Sequence, residues 1–516
     1  MSHQNKTWVE HVTLSPPSLN DNTADADRLI NVLRQQIKVP HISMDLALTR
    51  SLPDHLREWN YSARCILFED GNNTLLVGVT DPATDTVAAG MAIDLGTTRV
   101  VVRLIDLETT ETLAESSFEN PQTAVGDDIL TRIHSADTPE GLKKLNRLII
   151  DGINHMAEAL CTQCGIATVN IHLVAVAGNT TMTHFFLNLQ PRWIIREPYI
   201  PVVNNPGLID CGQTGLLAAP YARVFVFPNV GSYFGGDLIA GILFSGIHRK
   251  TETCLLVDVG TNAEVVLGDE SWLMACAGAA GPALEGGVAG IGAKASPGVI
   301  DGITIDPDTH DIQISTIENR PPTGICGSAL IDLMAGLFSA GIIDIRGKLA
   351  REKFPEKIKE TDGIAHFVVV PADQSGTGTP LTISQPDIDN IIRSKAAMYT
   401  ILKTITASVG LSLSDIDTFY VAGTFGSLIN PVSAITLGML PDLPLETFSV
   451  LGNSSLEGAA VVLRSRNHIK DIAAIQRKIT YLELNVNQEF MNRFSAAKFI
   501  PHTDRSLFPS VTIPEQ

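Results

Sequence analysis

The sequence predicts an α/β protein of two related lobes with a small α+β domain before them, and three observations predict it. The first is a phrase written twice. AIDLGTTRVVV begins at Ala92 and LVDVGTNAEVV at Leu256; each is an apolar run, then Asp-x-Gly-Thr, then a polar residue and β-branched residues. The two aspartates, Asp94 and Asp258, stand 164 residues apart. That spacing is too long for a solenoid repeat and suits two halves of one large fold. The second observation is that strand and helix patterns alternate from Met91 onward, as they do where helices cover buried sheets. The third is that residues 1–88 carry a helix and a hairpin of their own, closed off by Asp81-Pro82-Ala83-Thr84 and Ala88-Ala89-Gly90.

In chain order, residues 1–20 read as a linker or arm, because Pro16-Pro17-Ser18 stops regular structure. Asn20–Gln36 opens with capping candidates and acids and then turns periodic, as a helix start does. Ala63–Phe68 and Thr74–Val79 are strand-like runs joined by the turn Glu69-Asp70-Gly71-Asn72-Asn73. Ala92–Asp106 is strand, turn and strand. Leu142–Cys161 is a long helix, and Ile171–Ala177 a buried strand leading into Gly178-Asn179-Thr180-Thr181. Val224–Phe227 is a short strand, and the small residues of Gly235–Ile247 predict a helix pressed closely on a neighbour. Leu255–Leu267 repeats the strand-turn-strand unit, and a glycine-rich segment runs from Cys276 to Gly302. Helices follow at Gly327–Leu337 and Asp387–Val409. The strand Thr418–Ala422 leads into Gly423-Thr424-Phe425-Gly426, and a last core helix opens at Gly458–Arg464. The expected division is 1–88, then residues 89–250 as lobe one and 251–516 as lobe two.

With 44% apolar and 18% charged residues, 516 residues bury large cores. A net charge of −19 argues against nucleic-acid partners, whose phosphates are held by Lys and Arg, and against an anionic membrane surface. No run is long and apolar enough for a membrane span, and MSHQNKTWVEHV lacks a signal peptide's apolar core. The cytoplasm is therefore the expected compartment. The seven cysteines are Cys65, Cys161, Cys164, Cys211, Cys254, Cys276 and Cys326, too sparse for a disulfide framework. Cys161 and Cys164 form a lone CxxC at the end of an amphipathic run. They read as a helix end with two half-buried thiols rather than a metal or redox site.

A phosphate tail needs backbone N–H donors, hydroxyls and a metal. An Asp-x-Gly-Thr turn can answer all three. Gly96 and Gly260 allow close backbone approach, Thr97, Thr98 and Thr261 bring hydroxyls, Asn262 adds an amide, and Asp94 and Asp258 suit Mg²⁺. One such turn is weak evidence, since strand-Asp-Gly turns are common; two are stronger. Ala279–Gly287 (AAGPALEGG) has no helix or strand period, and its Gly281, Pro282 and Glu285 suit a ribose or phosphate. Gly423, Thr424, Phe425 and Gly426 follow a strand and suit adenine or ribose. Each glycine loop taken alone reads equally well as a tight loop without a ligand. Asp237, at the start of the small-residue helix, is either a water-polarising acid or a helix cap. Asn179, Thr180 and Thr181 either reach phosphate or cap the next helix, His184 reads as a structural histidine, and Cys326 as a small buried residue.

The order of these motifs resembles the acetate and sugar kinase, heat-shock chaperone and actin superfamily over about residues 91–465. The resemblance implies two ribonuclease-H-like lobes around a nucleotide cleft, with ATP and Mg²⁺ bound. It implies Asp94 and Asp258 as Mg²⁺ and water positioners, Gly423–Gly426 as the adenosine loop, and Asp237 where some members place a catalytic acid. A closer resemblance runs almost end to end. PPSLNDNTADADRL (from Pro16), AVAGNTTMTHFFL (from Ala175), AAGPALEGG, GICGSALIDL (from Gly324), AGTFG and FIPHTDRSLFPSV (from Phe499) are similar to the reductive activators of corrinoid proteins. Those proteins use ATP to drive an electron onto an inactive Co(II) corrinoid held by a partner in a methyltransferase system. The resemblance implies a middle domain at about 1–88, an ATPase at about 89–516, and a corrinoid protein as partner. The family's N-terminal [2Fe-2S] ferredoxin pattern does not occur here, nor does a C-terminal [4Fe-4S] set. The expectation is therefore no iron–sulfur cluster in this chain and an electron donor that is separate or missing. The corrinoid-carrying signature Asp-x-His-x-x-Gly is absent as well. A homodimer is left open, and the rival readings are a small-molecule kinase or a nucleotide-sensing scaffold of the same superfamily.

Overall fold

Each strand read from the sequence lies in one of five sheets. The protein is described here by a computed structural model covering residues 7–70, 73–260, 263–278, 289–423, 426–484 and 488–514. It divides into two units. Unit 1 comprises residues 1–246 and 454–479, and unit 2 residues 247–453 and 480–516. Among the described residues no helix is long and apolar enough to cross a membrane.

Unit 1 begins with β1 (Val9–Thr13), α1 (Asp25–Ile37), β2 (Ile42–Met44), α2 (Leu46–Glu58), β3 (Ser62–Asp70) and β4 (Asn73–Thr80). The strands form a sheet in the order β1-β3-β4-β2. Leu29, Leu33, Leu48, Leu52 and Leu56 carry the two helices into its core. The first residues are not an arm. β1 pairs antiparallel with β3, Trp8 stacks on Phe68 at 4.9 Å, and its indole nitrogen donates to the Val462 carbonyl at 2.8 Å. Apolar Trp8, Val9, Val12 and Leu14 are buried before the prolines can interrupt the chain. The sequence reading also passed over β2 and α2, a three-residue strand and a helix with Pro53 inside it.

The first large sheet follows: β5 (Ala89–Leu95), β6 (Arg99–Asp106), β7 (Thr112–Glu119), α3 (Ile129–Ser135), α4 (Pro139–Gln163), β8 (Ile171–Gly178), α5 (Thr180–Phe186), β9 (Leu208–Asp210), α6 (Cys211–Thr214), β10 (Arg223–Val226) and α7 (Gly236–Ser245). Its order is β7-β6-β5-β8-β10-β9. β5, β6 and β7 form an antiparallel meander, β8 runs parallel to β5, and β10 parallel to β8. That is a ribonuclease-H-like sheet. β8 is buried along its whole length, a near-continuous apolar run as expected of a strand covered on both faces. Its His172 packs under Gly78 of β4, where a side chain on the glycine would come within 2.7 Å of Nδ1.

Unit 2 holds β11 (Cys254–Val259), β12 (Ala263–Gly268), β13 (Leu273–Gly278), β14 (Val299–Ile305), β15 (Ile312–Thr316), β16 (Gly324–Ile325), α8 (Gly327–Ser339), β17 (Ile358–Thr361), β18 (Ile364–Val370), β19 (Leu381–Ser384), α9 (Gln385–Ser408), β20 (Thr418–Ala422), α10 (Pro431–Leu437) and β21 (Phe448–Gly452). The chain then passes through α11 (Ser454–Arg464) and α12 (Ile469–Lys478) of unit 1, and ends with β22 (Ile479–Tyr481) and α13 (Gln488–Ala497). The large sheet has the order β21-β20-β11-β12-β13-β22. It repeats the first: a meander from β11 to β13, with β20 and β21 parallel on the other side. The C-terminal segment docks on α9, where fully buried Lys395 donates to the carbonyls of Phe499 (2.5 Å) and Pro501 (2.7 Å).

The small residues of α7 meet α11, as their pattern predicts. A side chain on Gly458 would come within 2.2 Å of the Ala240 carbonyl, so only glycine admits this approach.

Candidate functional site

Both acid-glycine turns leave the same strand of their sheets. β5 and β11 are buried except at Asp94 and Asp258, each one residue before the strand's last position. Apolar side chains hold the strand in place, and the acid is delivered at the rim where water reaches it.

The first turn is braced from inside. The side chain of Asn120 donates to the Gly96 carbonyl at 2.9 Å, and its backbone N–H donates to the Thr98 carbonyl at 2.8 Å. Between them, Arg132 Nη1 donates to the Thr97 carbonyl at 2.8 Å. In a planar trans peptide the C=O and N–H point opposite ways. Pinning the Gly96 and Thr97 carbonyls inward therefore turns the amides of Thr97 and Thr98 outward. Arg132 is fully buried, its Nε donates to the Gly126 carbonyl at 2.7 Å, and its Nη2 has no hydrogen-bond partner among the described residues. Burial holds this guanidinium below its ordinary pKa, and nearby Asp127 and Asp128 partly offset the shift. Outward amides backed by a buried cation make an anion-holding turn.

Two further segments converge on that turn. β8 sets Ala177 beside Asp94 and Gly178 beside Leu95. Asn179 then caps α5, accepting from Met182 N–H at 2.9 Å, and its amide donates to the Thr97 hydroxyl at 3.0 Å. It thus does the capping job the sequence allowed, and it also holds the Thr97 hydroxyl. Gly235 lies against the same place, where a side chain would come within 2.5 Å of Asn179 Cα. Gly235 is itself the N-cap of α7, so Asp237 is not the cap. Its carboxylate accepts from Leu238 N–H at 2.9 Å in the first helical turn, and it is half-buried. Gly96, Thr97, Asn179 and Asp237 are thus gathered at one end of the first sheet.

In the second unit, Asp258 pairs with Ala422 of β20, and Gly423 follows. Gly423 has φ +88°, and a side chain there would come within 2.8 Å of an Asp258 carboxylate oxygen and 2.7 Å of the Val259 carbonyl. Glycine is needed for both its conformation and its lack of bulk. Gly260 is exposed, and Gly426 packs on Val421 and Val259. Thr261, Asn262, Gly281, Pro282, Glu285, Thr424 and Phe425 lie outside the described residues.

Unit 2 also contains a cavity of roughly 520 Å³, walled by β14, β15, α8 and α10. Its lining includes Asp332 and Ser433. Asp332 Oδ1 is buried with no hydrogen-bond partner among the described residues. Burial raises the carboxyl above its ordinary pKa, more than Ser433 lowers it. Asp332 reads in sequence as an ordinary helical residue of GICGSALIDL, and nothing local marks it.

The lesser candidates behave as structural residues. His184 is fully buried, with Nδ1 2.7 Å from the Thr180 carbonyl and Nε2 accepting from Val202 N–H at 3.0 Å. Cys161 is buried in α4 and Cys164 caps its end; burial pushes Cys161 up to about 11 and raises Cys164, opposite to thiolate activation. Cys326 is buried before α8, with Sγ 3.1 Å from the Ser328 hydroxyl. Among the described residues no three His, Cys, Asp or Glu side chains cluster to hold a metal.

Two ribonuclease-H-like sheets, each with an acid-glycine turn at its first strand, define a protein of the acetate and sugar kinase, chaperone and actin class. The chain belongs to the RACo family. The family models described as the RACo linker region, the RACo middle region, and the C-terminal domain of RACo (the ASKHA domain) match residues 1–86, 89–250 and 252–512. It is 30% identical to the corrinoid activation enzyme RamQ of Eubacterium limosum, over 78% of this chain and 69% of that one. It is 25% identical to the [Co(II) methylated amine-specific corrinoid protein] reductase of Methanosarcina barkeri, over 78% of this chain and 75% of that one. Among solved structures it is similar to a reductive activator for corrinoid,iron-sulfur protein, with 38% identity and a TM-score of 0.88, covering 99% of this chain and 82% of the other.

Proposed function

We propose that this protein is an ATP-hydrolysing activator of a corrinoid protein, returning a Co(II) corrinoid held by that partner to Co(I). Membership of the RACo family and relatives named for corrinoid activation support the reading. The observation that carries its ATP half is the braced turn at Gly96–Thr98: outward amides, two hydroxyls, a carboxylate at its edge and a buried guanidinium behind it. Such a turn holds a polyphosphate. Asp94 and Asp258 would hold Mg²⁺, which supplies charge neutralisation on the phosphates and suits one or two carboxylates with retained waters. Asp237, near Asn179 and the first turn, would orient the attacking water. Gly423–Gly426 would lie along the adenosine, and Gly260, Thr261, Asn262, Gly281, Pro282 and Glu285 complete the proposed contacts.

We divide the chain into a middle domain at 1–88 and an ATPase at 89–516, with the boundary between its lobes near residue 250. Nucleotide shifts an equilibrium only as far as it binds two states unequally. On this reading ATP selects the state that presses on the docked partner. On this reading the electron comes from an iron–sulfur donor that is separate or missing from this chain. We place the protein in the cytoplasm, serving a methyltransferase system.

The test is ATP turnover by the purified chain with and without Co(II) corrinoid proteins. A suitable partner is expected to raise turnover severalfold, and Asp94→Asn to abolish the response. Turnover that responds only to a small metabolite would point to a kinase instead.

A further inference from the structure

The first N–H of α7 is capped from outside the helix. Gly235 holds the N-cap position and has no side chain to cap with. The Gly236 N–H donates instead to Oδ1 of Asn229 at 3.1 Å, on the segment that follows β10. We propose that Asn229 is a positioning residue for ATP hydrolysis: its side-chain oxygen fixes the helical turn that carries Asp237. The inference rests on the water-orienting role given to Asp237 above and names the group that sets that acid in place.

Three observations carry it. First, Asp237 stands where a small tilt of α7 matters. A side chain on Gly235 would come within 2.5 Å of Asn179 Cα and 2.7 Å of Asp237 Oδ1. The carboxylate and Asn179 thus border the same small space, and the Asn179 amide holds the Thr97 hydroxyl at 3.0 Å. Second, Asn229 is itself held firmly. It is fully buried, its N–H donates to the Asn204 carbonyl at 2.6 Å, and its carbonyl accepts from Gln476 Nε2 of α12 at 3.0 Å. Gly236 is pressed on the same segment, where a side chain would come within 2.7 Å of Phe227 Cβ. A cap fixed on both sides of its own side chain passes its position to the helix it caps. Third, stability alone does not explain an asparagine here. Its Nδ2 is buried with no hydrogen-bond partner among the described residues. Serine or aspartate would cap a helix without stranding a donor. Serine is shorter, however, and aspartate would bring a second negative charge up behind Asp237 and towards a polyphosphate. Asparagine has the reach of aspartate without its charge.

The experiment measures kcat and KM for ATP on the full chain without a corrinoid protein, with thermal midpoints alongside. It compares wild type with Asn229→Ala, Asn229→Asp, Asp237→Asn and the double variant Asn229→Ala/Asp237→Asn. Asn229→Ala is expected to lower kcat about thirtyfold and to change KM less than about twofold, because a misplaced acid slows the chemical step and not ATP binding. Asn229→Asp keeps the accepting oxygen, so kcat should stay within about threefold of wild type while KM rises as the new charge opposes the phosphates. The double variant should be no slower than Asp237→Asn. A folded Asn229→Ala protein with unchanged kcat overturns the proposal, and so does a fall in kcat for Asn229→Asp as deep as for Asn229→Ala. Losses that multiply in the double variant overturn the positioning and leave the role of Asp237 standing. Full turnover by Asp237→Asn overturns that role and the positioning together. Should Asn229→Ala not fold, Gln476→Leu releases the Asn229 carbonyl instead and is expected to lower kcat less, with KM unchanged; no fall in kcat there overturns the proposal too.

Discussion

The two acid-glycine turns share a phrase, and their described surroundings differ. In the first, four residues link the paired positions Leu95 and Val100; in the second, three link Val259 and Ala263. The first is held by groups reaching its carbonyls from elsewhere, Asn120 and the buried Arg132. The Asp258 carboxylate instead lies against Gly423, just past the neighbouring strand β20, too close for any side chain there. A repeated motif therefore fixes where an acid emerges from a sheet, not what surrounds it. The first surrounding favours an anion, and the second fixes the direction of a carboxylate.

The largest expected effect breaks the second construction. Gly423→Ala must strain a left-handed backbone and move either Asp258 or the Val259 carbonyl. ATP turnover is expected to fall about a hundredfold, the scale for losing one aligned electrostatic group. Near-normal turnover by the variant would show that Asp258 needs no such alignment. The next effect concerns the unit carrying the first turn. His172 is buried, its Nδ1 has no hydrogen-bond partner among the described residues, and burial lowers its pKa to about 4, with Arg64 adding to the shift. The folded state binds this proton less readily than the unfolded state does. The stability contribution is therefore complete above pH 6.5 and is lost as pH falls from 6.5 towards 4. We expect a loss of about 3 kcal/mol over that window. His172→Gln should flatten the fall in thermal midpoint, and an equally steep fall would place the acid sensitivity elsewhere. The smallest effect isolates the brace. Arg132→Met should weaken ATP binding about tenfold, or about 1.4 kcal/mol, while leaving adenosine binding nearly unchanged. Equal losses for both ligands would mean that Arg132 only supports the fold.

What the sequence made legible was local. The strand before each acid, the turn after it, and the small residues of α7 are all written within about a dozen positions. Their periodicity and glycine content follow directly from backbone geometry. Arg132 and Asn120 were not legible, because they reach the turn from 35 and 24 residues away and resemble ordinary helix and turn residues where they stand. Asp332 was hidden in the same way: an acid's burial depends on helices brought together from distant segments. β1 was misread for the opposite reason. The conspicuous Pro16-Pro17 outweighed the quieter apolar pattern of Trp8, Val9 and Val12, which packing then used.

The contact between Gly458 and Ala240 has a consequence for synthesis. α7 leaves the ribosome long before α11, its neighbour in the same unit, and the whole contiguous stretch from Ile247 to Asn453 is translated between them. The later-translated unit has nearly all its strands and helices in hand while the earlier one still lacks α11 and α12. A nascent chain halted near residue 450 therefore presents the small-residue face of α7 uncovered, a surface for chaperones to guard until translation delivers its mate.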